Sequence, residues 1–161
     1  VDICAAPGGK SLHIAEKLWI TDRNEAKKGE VEARDLTEYK VEMIEENIDR
    51  CRLSNMTAKV WDARVFDEAA REKADVVIAD LPCSGLGVIG TKTDIKYNAS
   101  EEKIAELAAL QQEILHVVCG YVKPDGTLLY STCTMTRVEA QKRHPMRHPT
   151  CEEIHTELPC L

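Results

Sequence analysis

The first eighteen residues leave this chain few ways to fold. Val1-Asp2-Ile3-Cys4 is a short extended run and Ala5-Ala6-Pro7-Gly8-Gly9-Lys10 turns at once. Ser11-Leu12-His13-Ile14-Ala15-Glu16-Lys17-Leu18 then sets Ile14 and Leu18 on one helical face. Pro7 stops the strand from continuing, while Gly8 and Gly9 permit positive φ and a close backbone approach. A strand that passes through a glycine turn straight into a helix opens a parallel α/β sheet. The N–H groups exposed at such a helix start attract anionic or nucleoside-bearing ligands.

The alternation continues. Residues 21–29 are mostly polar and read as a surface loop. Glu30–Leu36 is a second strand, after which Thr37 can cap a helix carrying Val41, Ile44, Ile48 and Cys51 at helical spacing. Ala58–Trp61 is a short third strand that ends at Asp62. Asp75–Ala79 is almost wholly apolar, as expected of a strand covered on both faces.

Leu81–Asn98, with Pro82, Gly85, Gly87 and Gly90, is expected to be a long functional loop. Asn98 or Ser100 can cap the next helix, with Glu101 and Glu102 in its first turn. Ile104, Leu107, Ala108, Leu115 and Val118 form that helix's core face, and Gly120 ends it. Pro124-Asp125-Gly126 reads as a turn before a fifth strand, Thr127–Ser131. The fold class expected is α/β, a doubly wound, mostly parallel sheet. Beyond Arg137 the pattern deteriorates among Pro145, Pro149 and Pro159, so 139–161 is expected to be an irregular or incomplete end of the same domain.

Composition narrows the function. The chain has 161 residues, about one domain, and its 21 Lys and Arg against 28 Asp and Glu give a net charge of -7. That balance argues against an autonomous nucleic-acid binder, which presents a positive face. No apolar stretch approaches the roughly 20 residues needed to cross a bilayer. The seven cysteines form no CxxC pair, which fits a reducing compartment, the cytoplasm, and argues against zinc or any other metal. The start at Val1 reads as the tail of a strand, so the chain is expected to be an excerpt of something longer.

Two known anion-binding turns can be tested against residues 4–10. The dinucleotide fingerprint GxGxxG is absent. The phosphate loop GxxxxGK[ST] matches at Gly9-Lys10-Ser11 but has Cys4 in place of its first glycine. A P-loop-like nucleotide hydrolase therefore stays open as an alternative. Asp35, Asp62 and Asp80 lie at or just past successive strand ends, where open parallel sheets bind ligands. Together they favour an adenosine-containing cofactor, with Asp35 able to accept both ribose hydroxyls and Asp62 able to face a base amino group.

Cys83 follows the strongest strand and Cys133 the last clear one, so both are expected to face one crevice. Cys4, Cys51 and Cys119 read as small buried hydrophobes. A nucleophilic thiol at Cys83 or Cys133 needs a lowered pKa or a neighbouring proton acceptor. Lys10 is either a positive charge serving that purpose or a solvated side chain.

Four separated motifs resemble the RNA cytosine-C5 methyltransferases of the Sun/Nop type, and most of all the bacterial branch that modifies small-subunit ribosomal RNA. They are Cys4-Ala5-Ala6-Pro7-Gly8-Gly9-Lys10, Asp80-Leu81-Pro82-Cys83-Ser84-Gly85-Leu86-Gly87, Asp94-Ile95-Lys96-Tyr97 and Tyr130-Ser131-Thr132-Cys133-Thr134. The resemblance implies a Rossmann-like class I fold, a catalytic domain over 1–138, and S-adenosylmethionine as cofactor. By the same resemblance, Cys4, Ala5, Ala6, Pro7, Gly8, Gly9 and Lys10 surround the cofactor's methionine end. Asp35 binds its ribose, Asp62 lies near adenine, and Asp80 lies between cofactor and base. Cys133 is the nucleophile and Cys83 assists product release. DNA cytosine-C5 methyltransferases use the cysteine of Pro-Cys instead; Thr132-Cys133 and Pro82-Cys83 occurring together favour the RNA type.

There are departures from the family pattern. Residues 19–29 are longer than its usual connection, and Met135–Ala140 lacks its acidic run and Asn. Its last strands and its amino-terminal RNA-binding regions are not recognisable. Cofactor binding is expected to survive in the isolated chain better than methylation. Lys92, Lys96, Arg137, Lys142, Arg143 and Arg147 are either phosphate contacts or solvated surface. A noncatalytic RNA-processing scaffold is a further alternative.

Overall fold

The computed structural model describes residues 1–21, 29–88, 100–134 and 154–156. The expectations for Asp94–Tyr97, Lys92, Lys96 and the basic residues from Arg137 to Arg147 lie outside the described residues. The chain divides into two compact units, Val1–Val65 and Phe66–Leu161.

The first unit runs β1 (Asp2–Ile3), α1 (Gly9–Thr21), β2 (Val31–Asp35), α2 (Glu38–Cys51) and β3 (Met56–Val60). β2 is parallel to both of its neighbours, with Asp2 opposite Ala33 and Asp35 opposite Val60. The helices cover a core of Ala5, Ala15, Val31, Ala33, Ile44 and Met56, with Leu12, Ile14, Leu18 and Ile48 packed around it. Small residues, Ser11 and Ala15, make the deepest contacts of α1, so its backbone lies close to the sheet, while Ile14 and Leu18 are only half-buried. Thr37 caps α2 by accepting from the Lys40 N–H, as its position predicts. Arg52, in the left-handed region, closes it. Cys51, the last residue of α2, is exposed rather than buried, while Ile48 and Leu53 on either side of it pack against the core.

The second unit contains β4 (Ala74–Asp80), α3 (Glu101–Val118), β5 (Val122–Ser131) and β6 (Ile154–Thr156). β5 is parallel to β4 on one side and β6 on the other. Three differences from the sequence expectation have physical causes. The Pro124-Asp125-Gly126 turn lies inside β5, because both sides of it pair with β4: Val122 is opposite Ala74 and Thr127 opposite Val76. The intervening residues bulge out, with Asp125 at φ 64. β4 is uncovered at Asp75 and Val76, the latter 46% exposed, whereas Ala74, Val77, Ile78 and Ala79 are buried. β6 is a three-residue strand in the proline-interrupted tail, too short to show a period of its own.

Ser100 is the cap of α3, accepting from the Lys103 N–H. Its buried residues are Ala108, Gln111, Ile114 and Val118, so Ala108 and Val118 are buried as expected, Ile104, Leu107 and Leu115 are only half-buried, and Gln111 and Ile114 join the face. Tyr121 is fully buried; it stacks on Phe66, and its hydroxyl oxygen accepts the Asp67 N–H at 2.9 Å.

Candidate functional site

The glycine turn is built from the first unit alone. Gly8 has φ 99, and Cys4 is also left-handed at φ 61, a strained position that the sequence did not announce. Gly9 is instead the first residue of α1, and a Cβ placed there would meet no atom within 4 Å. The turn is stitched to its surroundings: Ala5 N–H donates to Arg34 O at 2.9 Å, and Asn47 Nδ2 donates to Pro7 O at 3.0 Å. Lys10 lies exposed in the first turn of α1.

Asp35 is buried at the end of β2. Its Oδ2 accepts the Ala6 N–H at 3.0 Å; its Oδ1 accepts the Leu36 N–H at 2.8 Å and Lys40 Nζ at 3.0 Å. This carboxylate therefore fixes the turn, and Lys40, half-exposed, is its one side-chain donor among these. Asp62 is gripped by Arg64, with Nε 3.0 Å from Oδ1 and Nη2 2.7 Å from Oδ2. The Arg64 side chain and backbone donors hold its carboxyl below the usual carboxylate range. Trp61 N–H donates to Asp35 O at 2.9 Å, which brings the ends of β2 and β3 together. Neither Lys40 nor Arg64 was singled out from sequence; both are close followers of the aspartates they hold.

Ser11 decides against the phosphate-loop alternative. In such a loop its hydroxyl must face a bound metal ion. Here Ser11 is fully buried, and its hydroxyl donates to the Asp2 carboxylate inside the fold.

In the second unit, parallel pairing puts Asp80 opposite Ser131, so the loops that leave β4 and β5 start side by side. Ser131 Oγ donates to Asp80 Oδ1 at 2.7 Å and Leu81 N–H to Ser131 O at 3.1 Å. Farther out, Gly87 N–H donates to Cys133 O at 3.0 Å, and the Ser84 and Thr134 hydroxyl oxygens lie 3.0 Å apart. Between these links the Cys83 and Cys133 sulfurs are 2.8 Å apart, with the Cys133 N–H 3.2 Å from the Cys83 sulfur. The two thiols expected to share a crevice do meet.

They are not equivalent. Cys133 is exposed and Cys83 half-buried. Burial first, and then the hydrogen bond with the Cys133 thiol, push Cys83 up to about 12. Cys83 is therefore a neutral thiol at physiological pH and can donate its proton to a neighbouring sulfur. Cys133 is the sulfur open to an incoming electrophile.

Behind Cys83 lies a brace missing from the sequence expectation. Gln111 Nε2 donates to Pro82 O at 2.8 Å, and Tyr130 Oη donates to Gln111 Oε1 at 2.9 Å. The available signal was an amide on the helix face shared by Ala108 and Ile114.

A family model described as 16S rRNA methyltransferase RsmB/F matches residues 1–147. The probable ribosomal RNA small subunit methyltransferase B of Bacillus subtilis is 45% identical over 140 residues, 86% of this chain and 30% of that protein. Ribosomal RNA small subunit methyltransferase B of Proteus mirabilis is 37% identical over 165 residues, 99% of this chain and 37% of that protein. The chain thus spans about a third of the length of these curated relatives. Among solved structures, PH0851 matches with TM-score 0.76 and 33% identity, over 86% of this chain and 30% of that one. NSun6 from Pyrococcus horikoshii with SFG matches with TM-score 0.68 and 29% identity, over 86% of this chain and 33% of that one. The fold is a mostly parallel α/β sheet, as the alternating pattern predicts, and Rossmann-like, as the resemblance implies.

Proposed function

Because the chain belongs to the RsmB/F family of bacterial ribosomal RNA cytosine-C5 methyltransferases, we propose that it carries the catalytic segment of an enzyme that methylates carbon 5 of a cytosine in small-subunit ribosomal RNA. The observation that carries this reading is the pair of free thiols 2.8 Å apart, one exposed and one half-buried. Carbon 5 of cytosine is a poor nucleophile, and a thiolate added at carbon 6 makes it enamine-like.

The first unit suits S-adenosylmethionine, the group implied by NSun6's sinefungin complex. The open face at Gly9 lets a ligand approach the backbone, and carboxylates stand at the ends of β2 and β3. Residues Cys4 to Lys10 would hold the methionine end, Asp35 the ribose in exchange for Lys40, and Asp62 the adenine end. When bound, the cofactor supplies an electrophilic methyl group.

The chain's own residues do the rest. The Cys133 thiolate forms a bond to carbon 6, and Asp80 in its acid form, oriented by Ser131, shares its proton with N3 as charge develops there and takes it back when the thiolate leaves. Once carbon 5 is methylated, its proton passes to water, and Cys83 assists as a protonated thiol rather than as the acceptor. The electrons of that C–H bond restore the ring double bond as the carbon 6–sulfur bond breaks. Sulfur leaves as the Cys133 thiolate, and the neutral Cys83 thiol beside it stabilises that leaving group by hydrogen bonding. Lys10 contributes positive charge that favours the anionic states.

We extend the proposal to the setting. Residues 1–138 form the catalytic domain and 139–161 belong to it, while RNA-binding regions precede Val1 in the full-length protein. The compartment is the cytoplasm, consistent with cysteines that are free among the described residues. No described helix is long and apolar enough to cross a membrane. The test is calorimetric titration of the full-length protein with S-adenosylmethionine and with ATP plus magnesium, followed by methyl transfer to small-subunit ribosomal RNA. Binding of the first alone and a methyl group on carbon 5 are expected; preference for ATP with magnesium would overturn the reading.

A further inference from the structure

We propose that Gln111 is a positioning residue for the thiol pair: its side-chain amide, held from behind by Tyr130, fixes the Pro82 carbonyl and thereby keeps Cys83 against Cys133. The assignment of catalytic consequences rests on the function proposed above, but the geometry stands independently of it.

Gln111 is 2% exposed and Tyr130 5%, so this chain of bonds runs through the core of the second unit. Tyr130 Oη donates to Gln111 Oε1 at 2.9 Å, and Gln111 Nε2 donates to Pro82 O at 2.8 Å. The carbonyl so held belongs to the peptide that carries Cys83. Tyr130 is also one residue before Ser131, which holds Asp80 at 2.7 Å. One buried amide thus fastens α3 to the Cys83 loop and to the strand that leads to Cys133. A leucine would serve the same helix face for packing alone. An amide is a costly choice in a core unless both its ends are bonded, and here both are.

Cys83 needs such a brace. Besides the Cys133 N–H on the Cys83 sulfur, the links from the β5 loop to this loop are made by Ser84 and Gly87 beyond Cys83 and by Leu81 before it, and none of these holds the Pro82–Cys83 peptide itself. Pro82 has no N–H of its own, so its carbonyl is the backbone group available there for an anchor. Removing the amide lets the Pro82–Cys83 peptide turn, and the sulfur moves with it. Displacements of an ångström at a reacting group cost up to roughly 100-fold in rate.

The test uses the full-length protein with Gln111→Met, which keeps length and bulk but bonds to neither partner, and Tyr130→Phe, which removes only the rear hydroxyl. The first readout needs no RNA. In a glutathione buffer the two thiols are oxidised to a disulfide as one oxidised glutathione is reduced to two thiols, and the Cys83–Cys133 peptide is quantified by mass spectrometry. We expect its effective concentration to fall about tenfold or more in Gln111→Met and by less in Tyr130→Phe. The second readout is methyl transfer: kcat should fall roughly 10- to 100-fold with the KM for RNA within about twofold, and more covalent RNA–protein adduct should persist on denaturing gels.

An unchanged disulfide equilibrium in Tyr130→Phe and in folded Gln111→Met overturns the positioning role, whatever the activity. A lowered equilibrium in a protein whose unmutated form transfers no methyl group supports the positioning role and overturns the proposed function. Equal losses in kcat and RNA affinity, with no extra adduct, reduce Gln111 to a structural residue and also overturn the proposal.

Discussion

The backbone N–H of Cys133 points at the sulfur of Cys83 from 3.2 Å. Cys83 is thus fixed by its partner's main chain while its thiol meets its partner's sulfur at 2.8 Å. The arrangement distinguishes two residues of the same type: the more buried sulfur holds its proton and the exposed one stays accessible. From this difference come the proposed roles, Cys133 as nucleophile and Cys83 in release.

Thiol labelling should reveal the asymmetry directly. With iodoacetamide, mass spectrometry should find Cys133 modified well before Cys83 at neutral pH, with Cys83 following only in strongly alkaline solution. The folded state holds the Cys83 proton more tightly than the unfolded chain does. Its contribution to stability is therefore complete below the ordinary thiol range and is lost as pH rises from there toward about 12. Equal labelling rates at pH 7 would contradict this.

Asp80 and Ser131 should separate by magnitude. Asp80→Asn removes the group proposed to serve N3 and should lower kcat roughly 100-fold or more. Ser131→Ala removes only the hydroxyl that orients it and should cost about 5- to 10-fold. Steady-state kinetics on ribosomal RNA check the order; a larger loss in Ser131→Ala would assign the chemistry elsewhere.

The paired glycines of the turn should fail in different ways. Gly8 has φ 99, and a Cβ there would lie 3.4 Å from Ile44 Cγ2, so Gly8→Ala should destabilise by about 1–3 kcal/mol. At Gly9 an added Cβ would have no atom within 4 Å, and the residue already belongs to the helix, so Gly9→Ala should leave stability unchanged or slightly higher. The same methyl group intrudes where the cofactor is proposed to approach, and calorimetry should show weaker S-adenosylmethionine binding. Urea denaturation supplies the stability half of the comparison.

Much of this was legible in advance because it depended on local chemistry. The glycine turn, the Thr37 and Ser100 caps and the apolar core of β4 each follow from one or two residues acting over a few positions. The meeting of Cys83 and Cys133 was also legible, since each ends a strand and parallel neighbours end together. What stayed hidden depended on pairing at a distance. Pro124-Asp125-Gly126 has the composition of a turn, and only its registration against β4 makes it a bulge. Gln111 looks like a surface residue until Pro82 and Tyr130 approach it. Asp35 reads as an open carboxylate, yet Ala6, Leu36 and Lys40 already bond to it.

Denaturing gel electrophoresis of the full-length protein, incubated with ribosomal RNA and S-adenosylmethionine, tests the division of labour between the two thiols most directly. Cys83→Ala should accumulate a covalent RNA–protein band, because attack proceeds and release fails, and Cys133→Ser should give neither band nor methylated product. A band that accumulates in Cys133→Ser and is missing in Cys83→Ala would contradict the account.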